Sequence, residues 1–292
     1  MHILSNLAEI YDRYDAVFCD LWGCLHNGVT AFPAAVAALQ SYRAQGGVVL
    51  LLTNSPRPKS GVITQLDGIG VPRDCWDEIA TSGDSAQAAM ASGHFGERVY
   101  HIGPDRDLPF FNDRAEDIPK TDIARVPLAE AQGIVCTGLN DDETETPDDY
   151  RSELLLAKTN GLSLLCANPD VVVDRGDKRV YCAGAIAQLY TEMGGKSVYF
   201  GKPHPPIYDL ARRRLAAMKH VPEDRILVIG DGPATDVQGG LSEGFDTLFI
   251  TGGLAAAETG THGPDGQPDP QKLDAFNAKH KLSPTFAMGF LR

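Results

Sequence analysis

Short, predominantly apolar runs alternate with segments of helical periodicity along most of the chain. The apolar runs cover residues 16–21, 48–52, 226–229 and 247–250, and strands buried on both faces have this pattern. Helices are predicted between them, at residues 33–45, 58–67, 206–218 and 235–242. This alternation predicts an α/β fold whose core is a doubly wound, Rossmann-like parallel sheet.

A second set of elements interrupts the alternation between residues 83 and 192. It contains predicted strands at 99–102, 133–137 and 162–167, a predicted helix at 147–160 and an acidic loop at 141–145. We therefore predict a core of residues 1–82 and 193–292, which includes a strand at 197–200, and an inserted α/β cap domain of residues 83–192. The Gly- and Pro-rich residues 260–270 are predicted to form a loop.

The composition excludes several classes of partner. The formal net charge of −13 disfavours nucleic acid and anionic membranes, although a local cluster of donors can still hold a small anionic substrate. Six scattered cysteines without a CxxC pair indicate buried free thiols. No apolar run approaches the ~20 residues of a membrane helix, so we expect a cytoplasmic protein.

Acidic residues follow two of the predicted strands. Asp20 ends the first apolar run, and Asp231 and Asp236 follow the run at 226–229. Carboxyl ends of parallel strands meet at one sheet edge, where such folds bind ligands. Converging carboxylates need a cation, and oxygen donors without nearby imidazole favour Mg²⁺. The alternative is that these residues only cap turns and helices.

Two further segments offer groups that suit a phosphate. Thr53 and Asn54 follow the second strand and supply a hydroxyl, an amide and backbone N–H groups. Lys202 lies on a loop bounded by Gly201 and Pro203 and could neutralise negative charge. The alternatives are a helix N-cap at Ser55 and a solvated surface lysine.

In this order, the segments FCDLWGCLHNG, LLTNS, FGKPHP and ILVIGDGPATD resemble the haloacid dehalogenase superfamily. The position of the insert is similar to that of the type-2-capped class IIA branch. That branch includes pyridoxal phosphate, phosphoglycolate, nucleotide and p-nitrophenyl phosphatases. Residues 81–82, 167–170 and 183–186 resemble parts of its cap, and the resemblance covers about residues 14–253.

The resemblance implies a role for each matching residue. Asp20 would be the nucleophile that takes the phosphoryl group. Thr53, Asn54, Lys202 and the N–H of Gly23 would bind the phosphate, and Lys202 would also steady the nucleophile. Mg²⁺ would be bound by Asp20, Asp231 and the backbone carbonyl of Trp22, with Asp236 acting through water or orienting Lys202.

Trp22 departs from the family pattern, which usually has a second aspartate at this position. That aspartate protonates the leaving alcohol and then activates water, whereas indole cannot titrate. His26, four residues on, is a candidate replacement, although a loop histidine is more often a packing residue; His204 is a weaker candidate. Candidate substrate-binding residues in the cap are Asp141, Asp142, Asn168 and Asp170.

Two functions follow from these observations. The first is Mg²⁺-dependent hydrolysis of a small cytoplasmic phosphate monoester, such as a sugar phosphate, nucleotide or cofactor phosphate, through an aspartyl-phosphate on Asp20. The second is a sensor or sequestering protein that binds a phosphorylated metabolite with little turnover because Trp22 replaces the acid–base residue. Carbon–halogen hydrolysis and phosphotransfer to another acceptor are less favoured. Dimerisation through the cap stays open.

Overall fold

The computed structural model describes residues 1–176, 178–263 and 265–292. Its strands are β1 (His2–Ile3), β2 (Ala16–Cys19), β3 (Val48–Thr53), β4 (Glu78–Thr81), β5 (Arg98–Ile102), β6 (Ala124–Arg125), β7 (Gly133–Cys136), β8 (Ser163–Cys166), β9 (Val172–Arg175), β10 (Lys178–Tyr181), β11 (Lys196–Tyr199), β12 (Ile226–Gly230), β13 (Asp246–Ile250) and β14 (Phe286–Met288). Its α-helices are α1 (Pro33–Ala44), α2 (Lys59–Gly68), α3 (Ser82–Met90), α4 (Pro109–Asn112), α5 (Arg151–Thr159), α6 (Ala183–Glu192), α7 (Pro205–Met218), α8 (Gln238–Ser242), α9 (Ala256–Thr259) and α10 (Pro270–His280).

The chain divides into two compact units. The first comprises residues 1–53, 65–80 and 208–292, and the second comprises residues 54–64 and 81–207. The second unit thus contains residues 54–64, 81–82 and 193–207 in addition to the inserted segment. The assignment of residues 1–82 with 193–292 to a catalytic core, and of 83–192 to a cap, stays a prediction.

The first unit is built on a seven-stranded sheet in the order β1-β14-β13-β12-β2-β3-β4. Its pairs from β1 through β3 are parallel. The chain runs outward from β2 in one direction through β3 and in the other through β12 to β14. The order therefore reverses between β2 and β12, and open α/β sheets bind their ligands outside the carboxyl ends at such a reversal.

The second unit contains a five-stranded parallel sheet in the order β11-β8-β7-β5-β6. This sheet is also doubly wound, because β6 lies on one side of β5 and β7 on the other. Helices α5 and α6 pack their apolar residues on one side, where Leu154, Ile186 and Tyr190 are completely or nearly completely buried. Strands β9 and β10 form a separate antiparallel hairpin.

The predicted α/β fold is confirmed, and the eight predicted strands and helices of the core are present with bounds within a few residues. One detail is wrong: the strand predicted at 197–200 pairs as β11 with β8, so it belongs to the second sheet. A four-residue apolar run shows that a strand exists but does not show which sheet it joins. Of the predicted tail loop at 260–270, residues 260–263 and 265–269 contain neither helix nor strand, whereas Pro270 begins helix α10. Pro264 lies outside the described residues.

Local sequence accounts for several element boundaries. Helix α1 starts with Pro33 at its first position, where the missing N–H costs nothing. Helix α10 is capped by Asp269, whose carboxylate accepts hydrogen bonds from two backbone N–H groups. All six cysteines are buried and free, as predicted. Among the described residues, no helix is both long and apolar enough to span a bilayer.

Candidate active site

Strands β2 and β12 place two aspartates side by side in the first unit. The strands pair in parallel with Cys19 opposite Ile229. The backbone N–H of Asp20 donates to the carbonyl of Ile229 at 2.8 Å, so Asp20 continues the ladder by one residue. Asp231 follows the neighbouring strand, so both carboxylates lie at the carboxyl edge of the sheet, as the sequence predicted. The strand order reverses at this place.

These side chains form a buried cluster with Cys24. One carboxylate oxygen each of Asp20 and Asp231 and the sulfur of Cys24 all lie within 4.8 Å of one another. The two carboxylates are only 6–7 % exposed. Two carboxylates that share a buried site repel each other unless a cation or donors compensate them. The donor set therefore fits a divalent cation, and its two carboxylates suit the oxygen preference of Mg²⁺.

Backbone donors orient the carboxylates at the end of β12. The N–H of Leu254 donates to Asp231 Oδ2 at 3.0 Å. The N–H of Gly232 donates to Asp236 Oδ2 at 3.1 Å, and Asp236 is 2 % exposed. Asp236 is thus held on its own turn by the backbone, and its action on metal water or on Lys202 stays a prediction.

Glycines make room for the Asp231 carboxylate on two sides. A β-carbon at Gly253 would lie 1.8 Å from Asp231 Oδ2, and one at Gly23 would lie 2.2 Å from it. Gly23 also has a φ of +76°, which favours glycine. Its N–H, predicted to bind phosphate, donates to the carbonyl of His26 at 2.9 Å in this structure. A phosphate contact from this N–H stays a prediction.

Cys24 is a member of the cluster that the sequence analysis treated only as a buried thiol. Burial, followed by the charges of Asp231 and Asp20, raises its pKa well above the usual value. The group is therefore a thiol rather than a thiolate in the protein without metal. Its position four residues after Asp20, in the turn that follows β2, is the signal in the sequence that could have found it.

His26 packs against Trp22. The two ring centroids are 5.4 Å apart at an interplanar angle of 70°. His26 is fully buried, its Nδ1 accepts the N–H of Gly28 at 2.9 Å, and its Nε2 has no partner within the described part of the chain. Burial lowers its pKa to about 4, so the ring is neutral at neutral pH. These observations favour a packing role, and the acid–base role stays a prediction.

The predicted phosphate-binding residues lie on two units. Thr53 ends β3 in the first unit and is 2 % exposed. Asn54 and Lys202 lie in the second unit, where the N–H of Lys202 donates to Asn54 Oδ1 at 2.7 Å. Asn54 Nδ2 donates to the Lys202 carbonyl and to Asp170. Both amide hydrogens of Asn54 are thus engaged, so a phosphate contact from Asn54 would use its backbone N–H.

The structure gives each predicted cap residue a local environment in the second unit. Asp141 is exposed and accepts from the neighbouring Thr144 hydroxyl. Asp142 forms ion pairs with Arg106 at 2.6 Å and with Arg175 at 2.5 Å. Burial opposes the ionisation of Asp142, but these arginines outweigh it and lower its pKa. Neither carboxylate is assigned to substrate by these contacts, and their substrate roles stay predictions.

The turn at the end of β8 carries the other two predicted cap residues. Asn168 Oδ1 accepts the backbone N–H of Asp170 at 3.1 Å. Asp170 Oδ1 in turn accepts from Asn54 Nδ2 at 2.8 Å. Asp170 is therefore connected to a predicted phosphate-binding residue, a contact that no spacing in the sequence indicates.

Comparisons with known proteins identify the family. Residues 17–114 match the family described as haloacid dehalogenase-like hydrolase, and residues 199–275 match a second, HAD-hydrolase-like family. A crystal structure of a haloacid dehalogenase-like hydrolase from Brucella suis 1330 is 41 % identical, covers 99 % of this chain and 100 % of its own, and has a TM-score of 0.86. The chain therefore belongs to the haloacid dehalogenase-like hydrolases.

Two further proteins are more distant. The ribonucleotide monophosphatase NagD of Escherichia coli (strain K12) is 24 % identical over 251 residues, which are 83 % of this chain and 89 % of NagD. A glycerol phosphate phosphatase from Mycobacterium tuberculosis, solved in complex with calcium, is 22 % identical with a TM-score of 0.63, over 89 % of this chain and 73 % of its own. The resemblance to class IIA phosphatases is thereby confirmed.

Proposed function

We propose that this protein is a Mg²⁺-dependent phosphatase that hydrolyses a small phosphate monoester through an aspartyl-phosphate on Asp20. That it is a phosphatase of the haloacid dehalogenase superfamily agrees with its relatives. The observation that carries the rest is the buried pair of Asp20 and Asp231 at the reversal of strand order in the first sheet. Such a pair can bind a divalent cation and present a nucleophilic carboxylate at the same site.

The metal would be held by the carboxylates of Asp20 and Asp231, with the carbonyl of Trp22 and, through water, Asp236. When bound, Mg²⁺ neutralises negative charge and polarises phosphoryl oxygens. The buried setting supports this proposal because two like charges share one site, and a bound cation offsets their mutual repulsion.

The reaction proposed for the chain's own residues has two displacements. An oxygen of Asp20 forms a bond to phosphorus while the ester P–O bond breaks, and the leaving oxygen takes a proton from solvent water to become the alcohol. A second water then attacks phosphorus and gives up a proton to solvent as the bond to Asp20 breaks, and inorganic phosphate leaves. Thr53 and backbone N–H groups bind the phosphate, and Lys202 neutralises its charge, which is most of what phosphoryl transfer requires.

Trp22 sets the expected limits of this activity. General acid–base catalysis contributes about 10²–10⁴-fold, and neither Trp22 nor the neutral ring of His26 is suited to supply it. Esters with acidic leaving groups need little proton transfer in the first displacement. We therefore propose that turnover is slow for alkyl phosphates and faster for aryl phosphates.

Trp22 also favours a second candidate function. A protein that keeps the carboxylates and phosphate donors but lacks a titrating residue could bind a phosphorylated metabolite with little turnover. It would then act as a sensor or sequestering protein. In that case ligands would raise the melting temperature without yielding product.

One experiment separates the two functions. Phosphate release is measured from a panel of sugar phosphates, nucleotides, pyridoxal phosphate and p-nitrophenyl phosphate, with Mg²⁺ and with EDTA. Asp20→Asn is the matched control because it removes the nucleophile and nearly preserves shape. Mg²⁺-dependent release that Asp20→Asn abolishes supports the phosphatase. No release above that variant for any ester, together with thermal stabilisation by one, supports the binding protein instead.

The remaining expectations are part of this proposal. A cytoplasmic location is supported by six buried thiols, all of them free. The substrate is proposed to be a small phosphorylated metabolite rather than nucleic acid or membrane, in keeping with the net charge of −13. Dimerisation through the cap, and the division into catalytic core and cap, stay predictions.

A further inference from the structure

The side-chain amide of Asn54 makes three hydrogen bonds within the second unit. Its Oδ1 accepts the backbone N–H of Lys202 at 2.7 Å, and its Nδ2 donates to the Lys202 carbonyl at 3.1 Å and to Asp170 Oδ1 at 2.8 Å. Asn54 is 3 % exposed and Lys202 is 2 % exposed. The Asn54 amide thus forms hydrogen bonds with both the N–H and the carbonyl of Lys202, and it also donates to the carboxylate of Asp170.

The carboxylate of Asp170 reinforces the amide orientation that the Lys202 backbone requires. A carboxylate only accepts, so Nδ2 must point to Asp170 and Oδ1 must then meet the N–H of Lys202. A flipped amide would oppose its oxygen to the carboxylate and its NH₂ group to the Lys202 N–H. Both contacts would be repulsive, and the Lys202 backbone would lose its partners.

The backbone of Asp170 is itself fixed on a short turn. Its N–H donates to Asn168 Oδ1 at 3.1 Å, and its carbonyl accepts the N–H of Gly184, at the start of α6, at 3.1 Å. A β-carbon at Gly184 would lie 2.4 Å from the Asp170 carbonyl oxygen and 2.2 Å from that of Pro169. Glycine at position 184 therefore lets α6 pack directly on this turn.

Gly201 brings the chain before Lys202 against the same groups. A β-carbon there would lie 2.4 Å from Asn54 Oδ1, 2.6 Å from Pro169 Cδ and 2.7 Å from Ser82 Oγ. Ser82, the turn at 167–170 and Gly184, from three segments that resemble parts of the family's cap, thus lie together around the contact between Asn54 and Lys202.

We propose that Asp170 is a positioning residue, which acts through the amide of Asn54 to fix the backbone at Lys202. This inference rests on the proposed function, because its catalytic consequence depends on the role of Lys202. It differs from the earlier expectation that Asp170 binds substrate. A substrate contact would depend on the ester, whereas a displaced Lys202 would affect every ester alike.

The kinetic test compares Asp170→Ala with Asp170→Asn, which keeps an acceptor oxygen. Loss of a hydrogen bond to a charged group predicts a fall in kcat of about 10- to 100-fold for Asp170→Ala. The fall should be similar for aryl, sugar and nucleotide esters, with little change in KM, and Asp170→Asn should restore most of the activity. Asp148→Ala, an exposed carboxylate of the same unit, is the control and should leave kcat unchanged. Unchanged kcat in Asp170→Ala, or a KM effect confined to some esters, would overturn the proposal.

A second measurement does not depend on activity. Hydrogen exchange of the Lys202 backbone N–H, which Asn54 Oδ1 accepts, should be faster in Asp170→Ala than in the wild type and close to wild type in Asp170→Asn. In the double variant Asp170→Ala/Asn54→Ala, the Lys202 N–H should exchange no faster than in Asn54→Ala alone. The proposal that Asp170 acts on Lys202 through Asn54 would be contradicted by unchanged exchange in Asp170→Ala. It would also be contradicted if the effects of the two substitutions on the exchange rate added fully in the double variant.

The two measurements keep the proposals distinguishable. If the wild type hydrolyses no ester, the proposed function fails, while exchange at Lys202 still decides whether Asp170 positions it. If the wild type is active and the Asp170 variants match it in both measurements, only the positioning role fails. Asp170→Ser, whose hydroxyl is too short to reach the amide, serves as the second variant if Asp170→Ala does not fold.

Discussion

Replacing Gly253 by alanine should displace the Asp231 carboxylate without altering any acidic residue. A β-carbon at this position would lie 1.8 Å from Asp231 Oδ2, whereas ordinary van der Waals contact begins at 3.4 Å. The carboxylate or its loop must therefore move by roughly 1.6 Å. The hydrogen bond from Leu254 N–H to Asp231 at 3.0 Å would be lost or badly bent by such a shift.

The expected magnitudes follow from that displacement. A hydrogen bond to a charged group contributes about 1.5–3 kcal/mol, so the free energy of unfolding without metal should fall by about that amount. A misplacement of ~1 Å in a catalytic arrangement costs about 100-fold in rate, so kcat/KM should fall at least that far. The Mg²⁺ concentration that gives half of maximal activity should rise because one ligand is misplaced.

The assay combines urea unfolding with a Mg²⁺ titration of phosphate release. Gly68→Ala is the matched control, because a β-carbon at the end of α2 meets nothing within 4 Å. That variant should keep wild-type kinetics and be equally or slightly more stable. If Gly253→Ala has the stability, Mg²⁺ dependence and kcat/KM of the wild type, the arrangement described around Asp231 is wrong.

Three further predictions concern residues near and away from the carboxylate pair. Trp22→Asp should raise kcat for alkyl phosphates by about 10- to 100-fold and for aryl phosphates by less, since it supplies an acid; equal or lower turnover on alkyl esters in steady-state assays would refute this. Cys24 should react with iodoacetamide at least ~100-fold more slowly in the native than in the denatured protein, because burial and two nearby carboxylates keep it a thiol; rapid native labelling seen by mass spectrometry would contradict it. Burial, with the charge of Arg125, lowers the pKa of His101 to about 4 from 6.5, so the unfolded chain takes up this proton first as the pH falls. Stability should drop by roughly 3 kcal/mol between pH 6.5 and 4, and urea unfolding of His101→Phe should lack that part of the drop; parallel pH curves would disprove it.

The sequence predicted the elements that position the carboxylates because their signals are local. The apolar runs at 16–21 and 226–229 are long enough to indicate buried strands; Asp20 lies near the end of the first, and Asp231 follows the second by two residues. In a parallel sheet those ends share an edge, so the approach of Asp20 to Asp231 followed from fold class alone. The pairing of β2 with β12 then confirmed it.

Features that depend on long-range contacts were not predictable. The short run at 197–200 does not show which sheet it joins, and as β11 it pairs with β8. The hairpin of β9 and β10 is half polar, with Asp174 paired to Arg179, and lacks the apolar alternation that marks a half-buried strand. The contact between Asn54 and Asp170 joins residues 116 positions apart, and nothing in either segment indicates its partner.

Calorimetric titration of Mg²⁺ into the wild type and into Asp231→Asn tests the central claim most directly. We predict one Mg²⁺ site in the wild type at millimolar metal or below, and loss or strong weakening of that site in the variant, because one of the two buried carboxylates is neutralised. Absence of binding to the wild type, or equal binding to both proteins, would contradict a divalent cation held between Asp20 and Asp231.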